Sequence, residues 1–246
     1  MSVRPDAPAF LTARPFAHRG LHGGGPHGGK VSENGMAAFT AAIAANLGIE
    51  CDVRLSRDGV AVVFHDASLQ RMTGEAGKVC DHEAEDIDRL TLPDGGGVPR
   101  LRALLDLCGT DIPLLIEIKV DGRRVAPLCA AVSDDLARRP LTLAAVMSFN
   151  PAAMRWFRRH RPDVARGLVV TEQRRRGWRG RVGRALALWA AKPDFIACDI
   201  RDLPSSLSVR ARRRGLPVLS WTVRTDTEHA RAALHADQII FEASRD

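Results

Sequence analysis

The sequence predicts a (β/α)8 TIM barrel, an α/β fold of eight parallel strands surrounded by helices. Three observations lead to this fold class. Eight strand-like apolar runs alternate with helical patterns along the 246 residues. Charged side chains gather where the first three runs end, and no linker divides the chain. We expect a single barrel domain over residues 14–246, preceded by an N-terminal extension of residues 1–13.

The predicted strands are short aliphatic runs bounded by turn residues. They cover residues 15–19, 47–55, 114–119, 143–149, 165–171, 195–199, 217–223 and 237–241. Helical patterns occupy residues 35–46, 101–108, 123–138, 151–160, 183–191, 204–214 and 227–235. Asn34 before the first helix and Asn150-Pro151 before the fourth are typical of helix starts.

Residues 56–99 depart from this alternation. Asp58-Gly59 is a typical hairpin turn, and it joins residues 52–56 to the apolar run 60–65. Polar residues 74–97 follow this run. The pattern therefore predicts a small hairpin and loop insertion after the second strand.

Composition predicts an ordinary globular protein, with 45% hydrophobic and 26% charged residues. No apolar run reaches the roughly 18 residues of a membrane span, and the first residues lack the layout of a secretory signal. The five cysteines are scattered and form no CxxC pair, which indicates neither a zinc site nor a disulfide framework. We therefore expect a cytoplasmic protein without a transmembrane segment.

The chain is basic, with a formal net charge of +7 and a pI of about 9.8. This balance favours anionic partners such as phosphates, nucleic acid or acidic lipid surfaces. The positive charge is nearly all arginine and is spread along the chain, so no nucleic-acid partner is expected. The arginine-rich residues 174–181 are typical of a solvated loop, and peripheral contact with an anionic membrane is the alternative.

Two predicted strands carry charged residues two positions apart. Glu50 and Asp52 flank Cys51 in the second strand, and Glu117 and Lys119 close the third. Because side chains in a strand alternate with a period of two, both members of each pair face the same side. Carboxylate oxygens are the ligands that hard cations prefer. Glu50, Asp52 and Glu117 are therefore predicted to bind a divalent metal ion, Mg²⁺ or Ca²⁺.

Cationic and titratable side chains complete this predicted site. Arg19 and Lys119 supply positive charge for a phosphate group. His18 and His65 each end an apolar run, and imidazole titrates near neutral pH, so either can serve as general acid or base. Asp66 is expected to orient His65 or to cap the following turn. The set predicts cleavage of a small-molecule phosphodiester.

These residues lie in ordered motifs that run from about residue 14 to the end of the chain and are densest before residue 120. The motifs are Ala17-His18-Arg19-Gly20, Glu33-Asn34-Gly35-Met36-Ala37-Ala38-Phe39, Ile49-Glu50-Cys51-Asp52-Val53-Arg54-Leu55 with Asp58-Gly59, Val62-Val63-Phe64-His65-Asp66, Val98-Pro99-Arg100-Leu101, Ile116-Glu117-Ile118-Lys119, and, more weakly, Ser148-Phe149, Trp221-Thr222-Val223 and Ala236-Asp237-Gln238-Ile239-Ile240. In this order and spacing they resemble the glycerophosphodiester phosphodiesterase family.

The resemblance implies a TIM barrel that hydrolyses glycerophosphodiesters to sn-glycerol 3-phosphate and an alcohol, a reaction of lipid and glycerol metabolism. It implies a divalent metal on the three carboxylates named above and acid and base roles for His18 and His65. In the implied route, a glycerol hydroxyl attacks phosphorus and water then opens the cyclic phosphate. Trp221 is expected to pack against the substrate, with packing inside the barrel as the alternative.

Two motifs depart from the family pattern. Ser32-Glu33-Asn34-Gly35 stands where Pro-Glu-Asn-Thr is usual, and Glu33 and Asn34 are expected to support the site. The final segment, residues 237–242, also differs and is expected to reshape the rim of the pocket. Two other functions stay open: a lysophospholipase D or cyclising activity on lysolipids beside Trp178 and Trp189, and, more distantly, a basic nucleic-acid-binding barrel.

Overall fold

The structure is a computed structural model that describes residues 7–24, 30–122, 124–138, 143–173 and 176–243. Its strands are β1 Phe16–His18, β2 Gly23–Gly24, β3 Lys30–Val31, β4 Gly48–Leu55, β5 Ala61–Val63, β6 Leu114–Ile118, β7 Ala144–Ser148, β8 Ala165–Val170, β9 Phe195–Asp199, β10 Val218–Val223 and β11 Gln238–Phe241. Its α-helices are α1 Phe10–Ala13, α2 Met36–Ala44, α3 Gln70–Thr73, α4 Ala84–Asp88, α5 Leu101–Cys108, α6 Ala126–Ala137, α7 Pro151–His160, α8 Trp178–Ala191, α9 Ser206–Arg213 and α10 Asp226–His235.

Eight parallel strands close into a barrel in the order β1, β4, β6, β7, β8, β9, β10 and β11. Closure is direct, because β1 pairs in parallel with β4 on one side and with β11 on the other. Helices lie between successive strands and cover the outside of the barrel. The predicted TIM barrel is therefore confirmed, and the strand boundaries agree with the sequence to within one residue at each end.

Strand alternation divides the buried side chains into two layers. Phe16, Leu115 and Phe195 belong to a cluster that fills the barrel interior. Cys51 and Ile118 belong to a larger cluster between the strands and the helices. In β4 and β6, the side chains that do not face this larger outer cluster consequently point into the barrel.

Helix α1 lies within the predicted N-terminal extension. Its Leu11 is completely buried and packs in the interior cluster with Phe16. The Gln238 side chain donates a hydrogen bond to the Thr12 carbonyl at 2.9 Å, which links this segment to β11. The start of the barrel domain at residue 14 stays a prediction.

The insertion after the second barrel strand begins with the expected hairpin. Strand β5 runs antiparallel to β4, with Val63 opposite Val53 and Ala61 opposite Leu55. The rest of the segment contains α3, α4 and a short 3-10 helix, Val79–Asp81. These elements surround their own apolar cluster of Val62, Phe64, Leu69, Val79, Ile87, Leu92 and Val98. The segment is consequently a packed subdomain rather than an open loop.

Helix α8 is longer than the sequence pattern predicts. It begins at Trp178, whereas the helical pattern begins at residue 183, so residues 178–181 are helix and not basic loop. Gly180 and Gly183 obscured this start in the sequence, because a glycine destabilises the interior of a helix by about 1 kcal/mol relative to alanine. Gly180 is nevertheless buried, and the helix packs beside α7. The arginines at positions 174 and 175 lie outside the described residues.

Among the described helices, none combines the length and apolar character that a membrane span requires.

Replacement of Gly167 by Ala should lower the free energy of unfolding by about 1–3 kcal/mol, the usual cost of overpacking. Gly167 lies in β8, and a Cβ there would overlap the Phe195 ring in the barrel interior. Urea denaturation followed by circular dichroism measures the effect. Gly183→Ala is the matched control, because a Cβ at Gly183 meets no atom within 4 Å and the position is exposed in α8. Equal stabilities for the two variants would contradict this account of the interior.

Candidate active site

Charged side chains meet at the carboxyl ends of β1, β4 and β6. The parallel register places His18 opposite Glu50, and Asp52 opposite Glu117. Because Cys51 faces the outer cluster, Glu50 and Asp52 point into the barrel. The strand alternation inferred from the sequence thus brings the predicted charged groups to one point, at the end of the barrel where TIM-barrel active sites lie.

Three carboxylates form the centre of this site. Glu50, Asp52 and Glu117 are 1%, 0% and 7% exposed. Each offers an oxygen that lies within 4.8 Å of the corresponding oxygens of the other two. Glu50 Oε1 is buried and has no hydrogen-bond partner among the described residues. Carboxylate oxygens are the ligands that hard cations prefer, and a buried one without a hydrogen-bond partner can bind such an ion. The cluster therefore fits a divalent cation such as Mg²⁺ or Ca²⁺.

Burial and mutual repulsion act on these carboxylates unequally. The pKa of Glu50 is raised well above its ordinary value, first by burial and then by the neighbouring Asp52 and Glu117. Burial also acts to raise the pKa of Asp52, but Lys119 and Arg19 outweigh it, and that pKa is lowered. Asp52 is therefore the most acidic of the three carboxylates, since the pKa of Glu117 is also raised.

Arg19 connects the carboxylate cluster to the loop that follows β3. Its backbone N–H donates to Glu50 Oε2 at 3.0 Å, and its guanidinium lies 3.1 Å from Asp52 Oδ2 and donates to Glu33 Oε1 at 2.8 Å. Arg19 adopts a positive φ of 57°, which is uncommon for a residue with a Cβ. This conformation lets its backbone and side chain contact the same cluster.

Lys119 lies on the other side of the carboxylates. Its Nζ is 3.1 Å from Asp52 Oδ1 and 2.8 Å from Glu117 Oε1. Burial alone would lower the pKa of this lysine, but the two carboxylates outweigh burial and raise it. Lys119 therefore stays charged in a largely buried position and offsets part of the negative charge.

Asn34 supports the cluster rather than starting the first helix. Its Nδ2 donates to Asp52 Oδ2 at 3.0 Å, and its Oδ1 accepts the backbone N–H of Asp52 at 3.2 Å. The N-cap position of α2 belongs to Gly35. Asn34 has a positive φ of 56°, a conformation that asparagine tolerates better than most residues. It thus holds both the carboxylate and the backbone N–H of Asp52.

His18 is backed by a carboxylate from the last barrel strand. Its Nδ1 lies 2.7 Å from Glu242 Oε1, just beyond β11, whereas its Nε2 lies 4.0 Å from Glu50 Oε2. The Arg224 guanidinium donates to both oxygens of Glu242, at 2.8 and 2.9 Å. Glu242 therefore holds the His18 ring with Nε2 toward the carboxylate cluster.

His65 is held in a similar way by residues of the insertion. Its Nδ1 lies 2.7 Å from Asp66 Oδ1, which agrees with the orienting role considered for Asp66. Arg71 donates to the other oxygen of Asp66 and also to Glu33. A single arginine thus links the partner of His65 to the partner of Arg19.

Both histidines have pKa values below that of an ordinary imidazole. Burial is the largest cause in each case, and it outweighs the nearby carboxylates. Each ring has Nδ1 engaged by a carboxylate, Glu242 for His18 and Asp66 for His65. A neutral imidazole can accept a proton at Nε2, and the imidazolium so formed can donate that proton.

Aromatic side chains lie at the mouth of the barrel. The Trp221 ring donates from Nε1 to the Ala197 carbonyl at 3.0 Å and meets Phe149 edge-on, with ring centroids 5.5 Å apart. Lys119 Nζ lies 6.0 Å from the centroid of Phe149. Phe149 is 45% exposed, so this pair offers an apolar surface beside the charged cluster.

The structure brings together all the side chains predicted for the site: His18, Arg19, Glu33, Asn34, Glu50, Asp52, His65, Asp66, Glu117, Lys119 and Trp221. It adds Glu242, Arg224 and Arg71, which the sequence analysis did not assign to the site. Glu242 directly follows the eighth barrel strand, so the rule that strand ends carry functional residues could have identified it. No comparable signal marks Arg71, which lies in a helix of the insertion.

Comparison with known proteins gives consistent matches. A family model described as the glycerophosphoryl diester phosphodiesterase family matches residues 18–242. The protein YhdW of Bacillus subtilis is 27% identical over 236 residues, 92% of each chain. A glycerophosphodiester phosphodiesterase of Caldanaerobacter subterraneus is 30% identical over 167 residues, which cover 63% of this chain and 65% of that protein.

Solved structures share the fold over nearly the whole chain. A crystal structure from Silicibacter pomeroyi has a TM-score of 0.78 and 27% identity, and covers 93% of this chain and 89% of its own. The Oleispira antarctica phosphodiesterase OLEI02445, solved with its product sn-glycerol-3-phosphate, has a TM-score of 0.79 and 21% identity over 94% and 93% of the two chains. The chain therefore belongs to the glycerophosphoryl diester phosphodiesterase family of hydrolases.

Proposed function

We propose that this chain hydrolyses glycerophosphodiesters to sn-glycerol 3-phosphate and an alcohol, with a divalent cation on Glu50, Asp52 and Glu117. One observation carries the proposal. The three buried carboxylates offer oxygens within 4.8 Å of one another, beside two imidazoles that are each backed by a carboxylate. Membership of the family supports the glycerophosphodiester substrate class.

Glu50, Asp52 and Glu117 would hold a divalent cation at the end of the barrel. When bound, Mg²⁺ or Ca²⁺ would supply positive charge next to the phosphoryl oxygens. Arg19 and Lys119 border the same carboxylates and add charge for the remaining phosphate oxygens. The anionic substrate would thereby meet a positive surface.

The two histidines are proposed to move the protons of the reaction. A hydroxyl of the substrate's glycerol attacks phosphorus and gives its proton to one neutral imidazole, while the other ring, present as the imidazolium at this step, gives its Nε2 proton to the departing alcohol oxygen. Water then opens the cyclic phosphate with the two roles reversed. Nε2 is the proton-carrying atom proposed for both rings, since Nδ1 of His18 and of His65 faces Glu242 and Asp66.

Trp221 is proposed to pack against the glycerol end of the substrate. Its ring is fixed by the hydrogen bond to Ala197 and by the edge of Phe149, so its exposed part forms a preorganised wall. Such a wall reduces the entropy that substrate binding loses.

A second candidate is a lysophospholipase D activity on acylated substrates. A largely apolar cavity of about 340 Å³ lies between β8 and α8, and Phe149 connects it to the mouth of the site. Its lining includes Gly180, Gly183 and Ala187 of α8, but not Trp178 or Trp189, the residues expected to edge such a groove. An acyl chain in this cavity would leave the phosphodiester beside Lys119.

Glu50→Gln should lower the release of sn-glycerol 3-phosphate from glycerophosphocholine by more than about a hundredfold. The variant keeps the shape of the side chain but removes one negative ligand. Mutation of residues that only support the ligands of a bound metal already lowers metal affinity or activity by about 10–100-fold. A dehydrogenase-coupled assay with Mg²⁺ or Ca²⁺, and with EDTA, measures the release. Exposed Glu85→Gln is the control. If the wild-type protein still turned over substrate in EDTA, the proposed requirement for a divalent cation would be wrong.

His18→Asn and His65→Asn should each lower turnover by about 10²–10⁴-fold, the usual contribution of a general acid or base. A p-nitrophenyl glycerophosphodiester distinguishes the roles, because its leaving group needs little protonation. The variant that lacks the acid should recover at least about tenfold with this substrate. Equal losses of both variants on both substrates would argue against separate acid and base roles.

Ala187→Trp should fill the cavity between β8 and α8 and raise KM for lysophosphatidylcholine relative to glycerophosphocholine by at least about tenfold, if acylated substrates bind there. Steady-state kinetics on both substrates measure the ratio. Ala230→Trp, at an exposed position of α10, is the control. An unchanged ratio would exclude the cavity as an acyl site.

A further inference from the structure

One side of α8 carries a row of exposed apolar side chains. Trp178, Val182, Leu186 and Trp189 are 65%, 49%, 61% and 73% exposed, and we refer to these four residues as the α8 stripe. Spacings of four, four and three residues place them on a single side of the helix. Soluble proteins seldom group large apolar side chains in this way unless the surface meets a partner.

Arginines border the stripe on both edges. At about 100° per residue, Arg179 and Arg181 fall on opposite sides of the line through the four apolar residues. Both are exposed, and the Arg179 guanidinium lies 5.4 Å from the Trp178 ring centroid. The helix contains no aspartate or glutamate between Trp178 and Ala191. Tryptophan and leucine on one face with arginine at the edges is the pattern of a helix that lies in a membrane interface.

Charge decides between a bilayer and a second copy of this chain. If two copies paired through the α8 stripe, Arg179 and Arg181 of both copies would bring four positive charges to the edges of the interface, with no acidic residue of the helix to offset them. An anionic lipid surface instead supplies the opposite charge along the whole helix, and the chain carries a net +7. The helix has 14 residues, about 21 Å in length, which suits lying on a bilayer and not crossing it.

We propose that α8 docks this protein on bilayers that contain anionic lipid, with the α8 stripe among the acyl chains and Arg179 and Arg181 at the lipid phosphates. β8 ends at Val170 and α8 begins at Trp178, so the first turn of α8 lies toward the end of the barrel that holds the site. Docking therefore brings that end close to lipid. The proposal is independent of the proposed reaction, because binding is measured without turnover.

Vesicle flotation tests the proposal with the full chain. Vesicles of phosphatidylcholine, with and without phosphatidylglycerol at about 30 mol %, are the probes. We expect binding to the anionic vesicles, and at least about tenfold weaker binding for Leu186→Glu, which places a charge within the stripe. Leu234→Glu is the matched control, since Leu234 is 70% exposed on α10 and outside the stripe.

A charge-reversal pair tests the arginines separately. Arg179→Glu with Arg181→Glu should weaken binding to anionic vesicles at least about tenfold, whereas Arg213→Glu with Arg214→Glu, exposed at the end of α9, should not. Circular dichroism confirms folding of each variant. Absence of vesicle binding, or equal effects of test and control variants, overturns the proposal. Concentration-dependent dimerisation lost in Leu186→Glu, without vesicle binding, overturns it in favour of a second copy.

Discussion

Repulsion among three buried carboxylates is the constraint around which the site is organised. Glu50, Asp52 and Glu117 lie too close together to be ionised without compensation, and burial leaves no water to screen them. Arg19 and Lys119 offset two of the three negative charges, and the excess falls mainly on Glu50, whose pKa is raised. A cation that binds the folded chain only would also raise its stability, through mass action.

The two imidazoles show a common arrangement built from unrelated parts of the chain. His18 is backed by Glu242, which Arg224 holds, and this chain of contacts joins β1 to the loops after β10 and β11. His65 is backed by Asp66, which Arg71 holds from within the insertion. Each arginine keeps its carboxylate ionised, and each carboxylate favours one orientation of the imidazole ring. Equivalent geometry at two positions is therefore reached without sequence repetition.

The fold was predictable because a parallel barrel repeats a simple pattern of apolar runs and helices. The carboxylates were predictable because period-two alternation places Glu50 and Asp52 on one face. Asn34 was predicted both as a helix start and as site support, and only its two hydrogen bonds to Asp52 decide between the two. Contacts between distant segments leave no local pattern, so the pairing of Glu242 with His18 and the extent of α8 required the structure.

The seam at which the barrel closes runs through the reacting groups. β1 carries His18 and pairs with β11, and Glu242 directly follows that strand. Proteins open locally well before they unfold as a whole. Separation of these two strands would detach the carboxylate from the imidazole while the other seven strand pairings of the barrel stay intact. Heat inactivation is consequently expected at a lower temperature than the loss of helical signal.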